Sequence, residues 1–329
     1  LSTRTPKKGT RMSLSRRTVL SSTAAAGLAA ALPETAFAAQ APMLMRAIPR
    51  SGEKLPVIGL GTYVVFDYKD DATKFASSQK VVQAMIDNGA SLIDTAPSYD
   101  LTPHEMTGYG RSQARVGDVV AALGKRNKLF IATKVWTQDD LETKKKVLAQ
   151  SLQELHMDKV DAMQFHVTMG PNMDWGVLNE FKAQGHCRYT GFTNSRVTSH
   201  ADSQAILKRD KPDFIQIDYS LDDRDAEDGI LPAAKDAGTA VLVNVPFGHG
   251  RLFKKTAGKP LPDFAKEIGA ETWAQIFLKF IISHPAVTAV IPATNDPAHM
   301  LDNIGAGRGR LPDEALRKRI VAYWEALPG

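Results

Sequence analysis

Three side chains of different chemical type stand where strands would end, and a fourth lies in the loop after the first of them. Asp94 follows the short apolar run Ser91-Leu92-Ile93, and a turn through Ala96-Pro97-Ser98 leads to a phenol, Tyr99, five residues on. Lys134 closes Leu129-Phe-Ile-Ala-Thr-Lys134, and His166 closes Val160-Asp-Ala-Met-Gln-Phe-His166. A carboxylate, a phenol, an ammonium and an imidazole are the set that carbonyl reduction requires. Hydride arriving at a carbonyl carbon builds charge on the oxygen, which must then receive a proton. A phenol is a poor acid near neutrality unless a cation lowers its pKa. Lys134 supplies that cation, Asp94 holds and neutralises Lys134, and His166 hydrogen-bonds and orients the carbonyl oxygen.

Such residues need elements that bring strand ends to one face. Met45 to Tyr63 reads as a short hairpin turning at Ser51-Gly52. Beyond it, apolar runs of about five residues alternate with amphipathic stretches of ten to fifteen. Strands are predicted at 57–60, 91–94, 129–134, 160–165, 187–193, 214–218, 240–245 and 287–291. Helices are predicted near 77–88, 111–124, 140–155, 173–184, 198–208, 226–237, 270–284 and 297–305, with one more over 312–327. Sustained β-α alternation means parallel strands and right-handed crossovers. Eight strands in about 250 residues fit a closed (β/α)8 TIM barrel, with a short N-terminal β-hairpin and an extra C-terminal helix. No Gly-x-Gly-x-x-Gly follows a strand, which argues against a Rossmann domain. In a barrel the strand C-termini share one face, and Asp94, Lys134 and His166 all fall there.

The 329 residues carry 41 Lys+Arg against 36 Asp+Glu, for a net charge of +5. The excess is confined to residues 1–38, where Arg4, Lys7, Lys8, Arg11, Arg16 and Arg17 face only Glu34. The rest is balanced, so there is no electrostatic case for a nucleic-acid partner. Ser15-Arg16-Arg17-Thr18-Val19-Leu20 resembles the twin-arginine export motif. An Ala-rich apolar segment and the small-x-small site Ala36-Phe37-Ala38 follow it. The expectation is a cleaved signal peptide over 1–38, a mature domain over 39–329, engagement of the twin-arginine machinery, and a periplasmic or secreted product. The apolar run is too short and weak for stable membrane anchoring. A single cysteine, Cys187, excludes an internal disulfide, and no His-x-His or clustered carboxylate pattern points to a metal.

From about Ile48 to about Ala326 the chain resembles the aldo-keto reductases. Leu55-Pro-x-x-Gly-Leu-Gly-Thr62 looks like their opening motif and Asp94-Thr-Ala-x-x-Tyr99 like their second-strand signature. Thr133-Lys134 and the strand ending at His166 complete a catalytic tetrad of Asp94, Tyr99, Lys134 and His166. The resemblance implies an NAD(P)H-dependent oxidoreductase acting on an aldehyde, ketone or sugar-like alcohol, with Tyr99 as general acid/base. A nucleotide-binding module of the same fold with little or no turnover is the alternative. It also implies cofactor contacts. Thr193, Asn194 and Gln216 would hold the nicotinamide carboxamide. Asn244 stands where the family usually stacks an aromatic ring. Pro246, Gly248 and Arg251 belong to a loop able to wrap a pyrophosphate. Thr294, His299, Asp302 and Asn303 fall on the adenosine side. Ala293 and His299 stand where the family usually places the cations that grip a 2′-phosphate; the resemblance still implies NADP first, with NAD or dual use as the alternative. Tyr63, Trp136 and Val167 would line the substrate mouth.

Two phenols compete for the acid's role. The family often runs Tyr-Gly-x-Ser straight after the turn, whereas here about ten residues separate Tyr99 from Tyr109-Gly110-Arg111-Ser112. Spacing from Asp94 favours Tyr99 and following context favours Tyr109. Tight tethering to the strand favours Tyr99.

Overall fold

The computed structural model describes residues 41–97, 110–136, 140–166, 173–194 and 200–328. The signal-peptide expectation, Tyr99, Tyr109 and Val167 all lie outside the described residues.

Eight parallel strands form one sheet in chain order: β3 (Leu60–Gly61), β4 (Leu92–Asp94), β5 (Phe130–Trp136), β6 (Ala162–His166), β7 (Tyr189–Asn194), β8 (Phe214–Asp218), β9 (Ala240–Asn244) and β10 (Val287–Val290). Parallel bridges from Ile58 to Val290 and from Gly61 to Ala293 join the first strand's segment to the last and close the barrel. The connections carry the outer helices: α1 (Ala72–Asp87), α2 (Ser112–Leu123), α3 (Leu141–Glu154), α4 (Gly176–Ala183), α5 (His200–Asp210), α6 (Ile230–Ala237), α7 (Arg251–Thr256), α8 (Phe264–Glu267), α9 (Trp273–Ser283), α10 (Pro297–Ala306) and α11 (Glu314–Ala326). The predicted helices are all present. The short α7 and α8, in the long connection after β9, lack an apolar period long enough to announce them.

Helix starts follow from their capping residues. Asp71 accepts from the amides of Thr73 and Lys74 ahead of α1. Thr272 caps α9, and Asp296 caps α10 with Pro297 in its first turn.

Strand alternation sorts the core into two shells. Ile93, Ile131, Met163, Phe192, Ile215, Val241 and Val290 face the helices in the outer cluster. Leu92, Phe130, Ala132, Ala162, Tyr189, Phe214, Ala240, Leu242 and Ala289 face inward and fill the barrel together with Ile48 and Leu55. Those last two come from the hairpin of β1 (Met45–Ala47) and β2 (Lys54–Pro56), which pair antiparallel. Arg46 of the hairpin donates to the carbonyls of Ile282 at 2.5 Å, His284 at 2.7 Å and Val287, tying it to the end of α9 and the start of β10. Gly191 is needed inside the barrel, because a Cβ there would lie 2.6 Å from the Phe214 carbonyl oxygen.

The same alternation carries polar residues inward above this apolar filling. Asp94, Lys134, Gln164 and Gln216 share the parity of Leu92, Ala132, Ala162 and Phe214, and one step further along stand Trp136, His166, Asp218 and Asn244. The barrel is therefore apolar at its N-terminal end and polar at its C-terminal mouth.

Candidate active site

Lys134 and Asp94 form the centre of the mouth. The Lys134 ammonium donates to Asp94 Oδ2 at 2.5 Å and to the Thr95 carbonyl at 2.8 Å, and both side chains are buried. A buried ion pair is tolerated only when its remaining lone pairs are also met. Here the other carboxylate oxygen, Oδ1, accepts from Gln216 Nε2 at 2.8 Å and Gln164 Nε2 at 3.4 Å. Thr62 buttresses the strand end, its amide and hydroxyl both donating to the Asp94 carbonyl at 3.1 Å. Strand β5 runs two residues beyond its expected end at Lys134, so the ammonium sits one layer inside the rim and Trp136 forms the rim itself.

His166 lies across from this pair, its ring 4.1 Å from that of Trp136, centroid to centroid. Burial, with the Lys134 charge adding, pushes its pKa down to about 3, so the imidazole is neutral at ordinary pH. A neutral ring can donate one hydrogen bond to a carbonyl oxygen without adding a second cation beside Lys134.

On the other side of the mouth, Thr193 and Gln216 are register partners on β7 and β8. Asn244 Nδ2 donates to Gln216 Oε1 at 3.3 Å, and Asn244 Oδ1 is buried with no hydrogen-bond partner. A carboxylate is acceptor-only, so Gln216 must turn its NH2 to Asp94 and its carbonyl to the mouth. Two acceptor oxygens, Gln216 Oε1 and Asn244 Oδ1, thus meet there. That is the complement of a primary amide's NH2, and a nicotinamide carboxamide fits it. Asn194 faces the other way, its Nδ2 donating to Ser203 Oγ of α5 at 2.7 Å.

The turn after β9 has positive φ at Val245, Gly248, His249 and Gly250. A Cβ on Gly248 would come within 3 Å of Asp222 Oδ1 and of the Arg251 guanidinium. Arg251 pairs with Asp222 at 2.9 Å, so the cation expected at a pyrophosphate is already matched by an acid from the β8 loop. Pro246 is buried and His249 exposed. Further round, Thr294 is buried and its hydroxyl accepts from the Asp296 amide at 3.0 Å, Asn303 is buried, and His299 is exposed. Asp302 accepts from the Thr272 hydroxyl at 3.0 Å and from Gln275 Nε2 at 2.8 Å, joining α10 to the start of α9. Tyr63, 53% exposed, lies beyond β3 on the lip.

Sequence reasoning overlooked two inward residues at this end. Gln164 is fully buried on β6, and its Oε1 has no partner. Asp218 ends β8 beside Asn244 in register, and its Oδ1 is likewise buried and unpartnered. Burial raises the Asp218 pKa, with Asp223 and Asp225 adding and His200 opposing. Both were findable, since each is polar at a two-residue spacing from a residue already singled out, His166 or Gln216.

Residues 57–322 match the Aldo/keto reductase family. The chain belongs to that family. Among its relatives, the Aldo-keto reductase YhdN of Bacillus subtilis is 28% identical over 222 residues, a match covering 63% of this chain and 63% of that protein. Two Klebsiella pneumoniae aldo-keto reductase structures share the fold. One, in complex with NADPH, has a TM-score of 0.70 at 22% identity, covering 86% of this chain and 96% of that one. The other, in complex with NADP and acetate, has a TM-score of 0.68 at 24% identity, covering 83% and 93%. The aldo/keto reductase match begins at Val57, just after the hairpin, and spans the barrel and most of α11.

Proposed function

We propose that this aldo/keto reductase family member is an NAD(P)H-dependent oxidoreductase interconverting a carbonyl and an alcohol, with NADP as its first cofactor and Tyr99 as general acid/base. The observation that carries this reading is the buried Lys134–Asp94 pair beside a neutral His166. A fixed ammonium lowers the pKa of an adjacent phenol, and a neutral imidazole orients the carbonyl oxygen as that phenol gives up its proton. The nicotinamide, when bound, supplies or takes the hydride. Gln216, Asn244 and Thr193 would orient its carboxamide. The loop Pro246–Arg251 would wrap the pyrophosphate, and Thr294, His299 and Asn303 would meet the adenosine end. Tyr63 and Trp136 would shape an entrance for an aldehyde, ketone or sugar-like alcohol.

The test is a fluorescence titration with NADPH and NADH, followed by turnover on an aldehyde panel, for wild type, Tyr99→Phe and Tyr109→Phe. Nucleotide binding with turnover abolished only by Tyr99→Phe is expected. Loss only in Tyr109→Phe would move the acid to the later phenol. Binding without turnover in wild type would favour the second reading, a nucleotide-binding module. That reading draws on Asn244 in place of a stacking ring and on the Arg251–Asp222 pairing.

We further propose export by the twin-arginine route, on the strength of Arg16-Arg17 and the Ala36-Phe37-Ala38 site. An uncleaved N-terminus on protein recovered from cells, with none in the periplasm, would refute it.

A further inference from the structure

We infer that Gln164 is a positioning residue for the Lys134–Asp94 pair: its amide and that of Gln216 form a two-sided cradle that keeps Asp94 aimed at Lys134. The inference rests on the oxidoreductase reading for its kinetic consequences, and on geometry alone for the contact itself.

Gln164 pairs with Lys134 in the β5–β6 register, with both side chains inward. It is fully buried, its Nε2 reaches Asp94 Oδ1 at 3.4 Å, and its Oε1 has no partner. A buried amide would ordinarily turn to satisfy both its ends. This one cannot, because presenting its carbonyl to a carboxylate would set acceptor against acceptor. The orphaned oxygen is the mark of an amide held in place by what its NH2 does. Gln216 meets the same carboxylate oxygen at 2.8 Å from across the barrel. Gly191, the inward residue of β7 between them, has no side chain to intrude.

The electrostatic surroundings of Asp94 follow from the strands around it. Strand β3 contributes no titratable group, β5 contributes Lys134, β6 His166 and β8 Asp218. His166 is neutral, so Lys134 is the one cation facing the carboxylate among the described residues. With one of the two amides removed, that carboxylate oxygen is held from one side only and the carboxylate is free to turn from the Lys134 ammonium. Gln164 lies outside the proposed cofactor contacts, unlike Gln216, so its effect can be read separately from nucleotide binding.

The experiment observes the Lys134 ammonium protons by nitrogen-15 NMR, assigned by Lys134→Met, in wild type, Gln164→Leu and Gln164→Glu. kcat, KM and NADPH affinity are measured alongside, with circular dichroism to establish folding. In Gln164→Leu the ammonium signal shifts and its exchange with water quickens, and kcat falls about tenfold while KM and NADPH affinity hold. Gln164→Glu, which sets a carboxyl where the donor stood, lowers kcat at neutral pH at least as far. A residue that only fills space would leave the ammonium signal in place. An unchanged signal in folded Gln164→Leu overturns the inference. A changed signal with no turnover in wild type supports the cradle and counts instead against the oxidoreductase reading.

Discussion

At the N-terminal end of the barrel, Arg188 donates to Glu53 at 2.6 and 3.0 Å and to Asp161 at 2.9 Å. Its guanidinium lies over the rings of Phe130 and Tyr189. Arg126 reaches the other oxygen of Asp161, and the Tyr189 hydroxyl donates to Glu53 at 2.6 Å. Each charge in this cluster has a counter-charge, and the Arg188 hydrogen bonds hold the Glu53 pKa below the usual carboxylate range. At the C-terminal mouth, Thr95 Oγ1, Gln164 Oε1, Asp218 Oδ1 and Asn244 Oδ1 are buried without partners. Val64 and Val245, both β-branched, sit at positive φ beside them. An unmet buried polar atom costs about 1–3 kcal/mol, and strained backbone adds to that. The Arg188 cluster is completed from within the chain. The mouth instead gathers inward-facing polar atoms on four strands, as a site for a small molecule would require.

The largest expected effect breaks the contrast at its centre. Lys134→Met removes the cation but leaves the barrel filling in place, and turnover should fall by about 10²–10⁴-fold. Steady-state kinetics on the best aldehyde would check it, and wild-type kcat in this variant would remove Lys134 from the chemistry. The counterpart at the other end is Arg188→Leu, which leaves Asp161 with Arg126 and Glu53 with the Tyr189 hydroxyl. Full burial would make this costly, but the Arg188 side chain is 40% exposed, so a loss of about 1–3 kcal/mol is expected after solvent screening. Urea unfolding measures it, and kcat per folded molecule should stay at the wild-type value. A drop in kcat without a drop in stability would erase the division between the two ends.

Most of the barrel was legible in the sequence because strand and helix periods there are uninterrupted. Asp94 and His166 end their strands as expected, and all eight strands fall within a few residues of their predicted positions. What the sequence could not show was which neighbour each inward residue meets. Gln216 reads as a cofactor ligand from its place in the chain, yet its NH2 is bound to Asp94 in three dimensions, 122 residues away. Asn194 reads likewise, and its amide turns outward to Ser203. Arg251 looked like an uncommitted cation because Asp222 lies on a different loop. Such pairings depend on barrel closure and shear, which no local pattern encodes.

A smaller effect sharpens the view of the mouth. Asn244→Tyr would restore an aromatic surface where the family usually has one, at the loss of a 3.3 Å bond to Gln216. An added stacking contact contributes roughly 0.5–1.5 kcal/mol, so NADPH should bind about two- to tenfold more tightly. Fluorescence titration reads the change, and weaker binding would mean that the amide pair matters more than a ring would.

A pH-dependent effect divides acid stability between the two ends. His166 stands at the mouth with its pKa lowered to about 3, and His284 stands at the opposite end, before β10, with its own lowered to about 4. Burial is the first cause of both shifts, joined by Lys134 for His166 and by Arg317 for His284. A histidine whose folded pKa lies below its unfolded value of about 6.5 takes up its proton on unfolding. Each therefore drains stability as pH falls below about 6.5, until its folded value is reached. His284→Gln should flatten the fall in unfolding free energy between pH 6.5 and 4 and leave turnover alone. His166→Gln should flatten it down to pH 3 and also lower turnover, because that ring faces the site. Urea unfolding at a series of pH values would measure both slopes. Equal slopes in wild type and His284→Gln would mean that the N-terminal end opens to water before its histidine titrates, and the contrast in burial between the two ends would have to be redrawn.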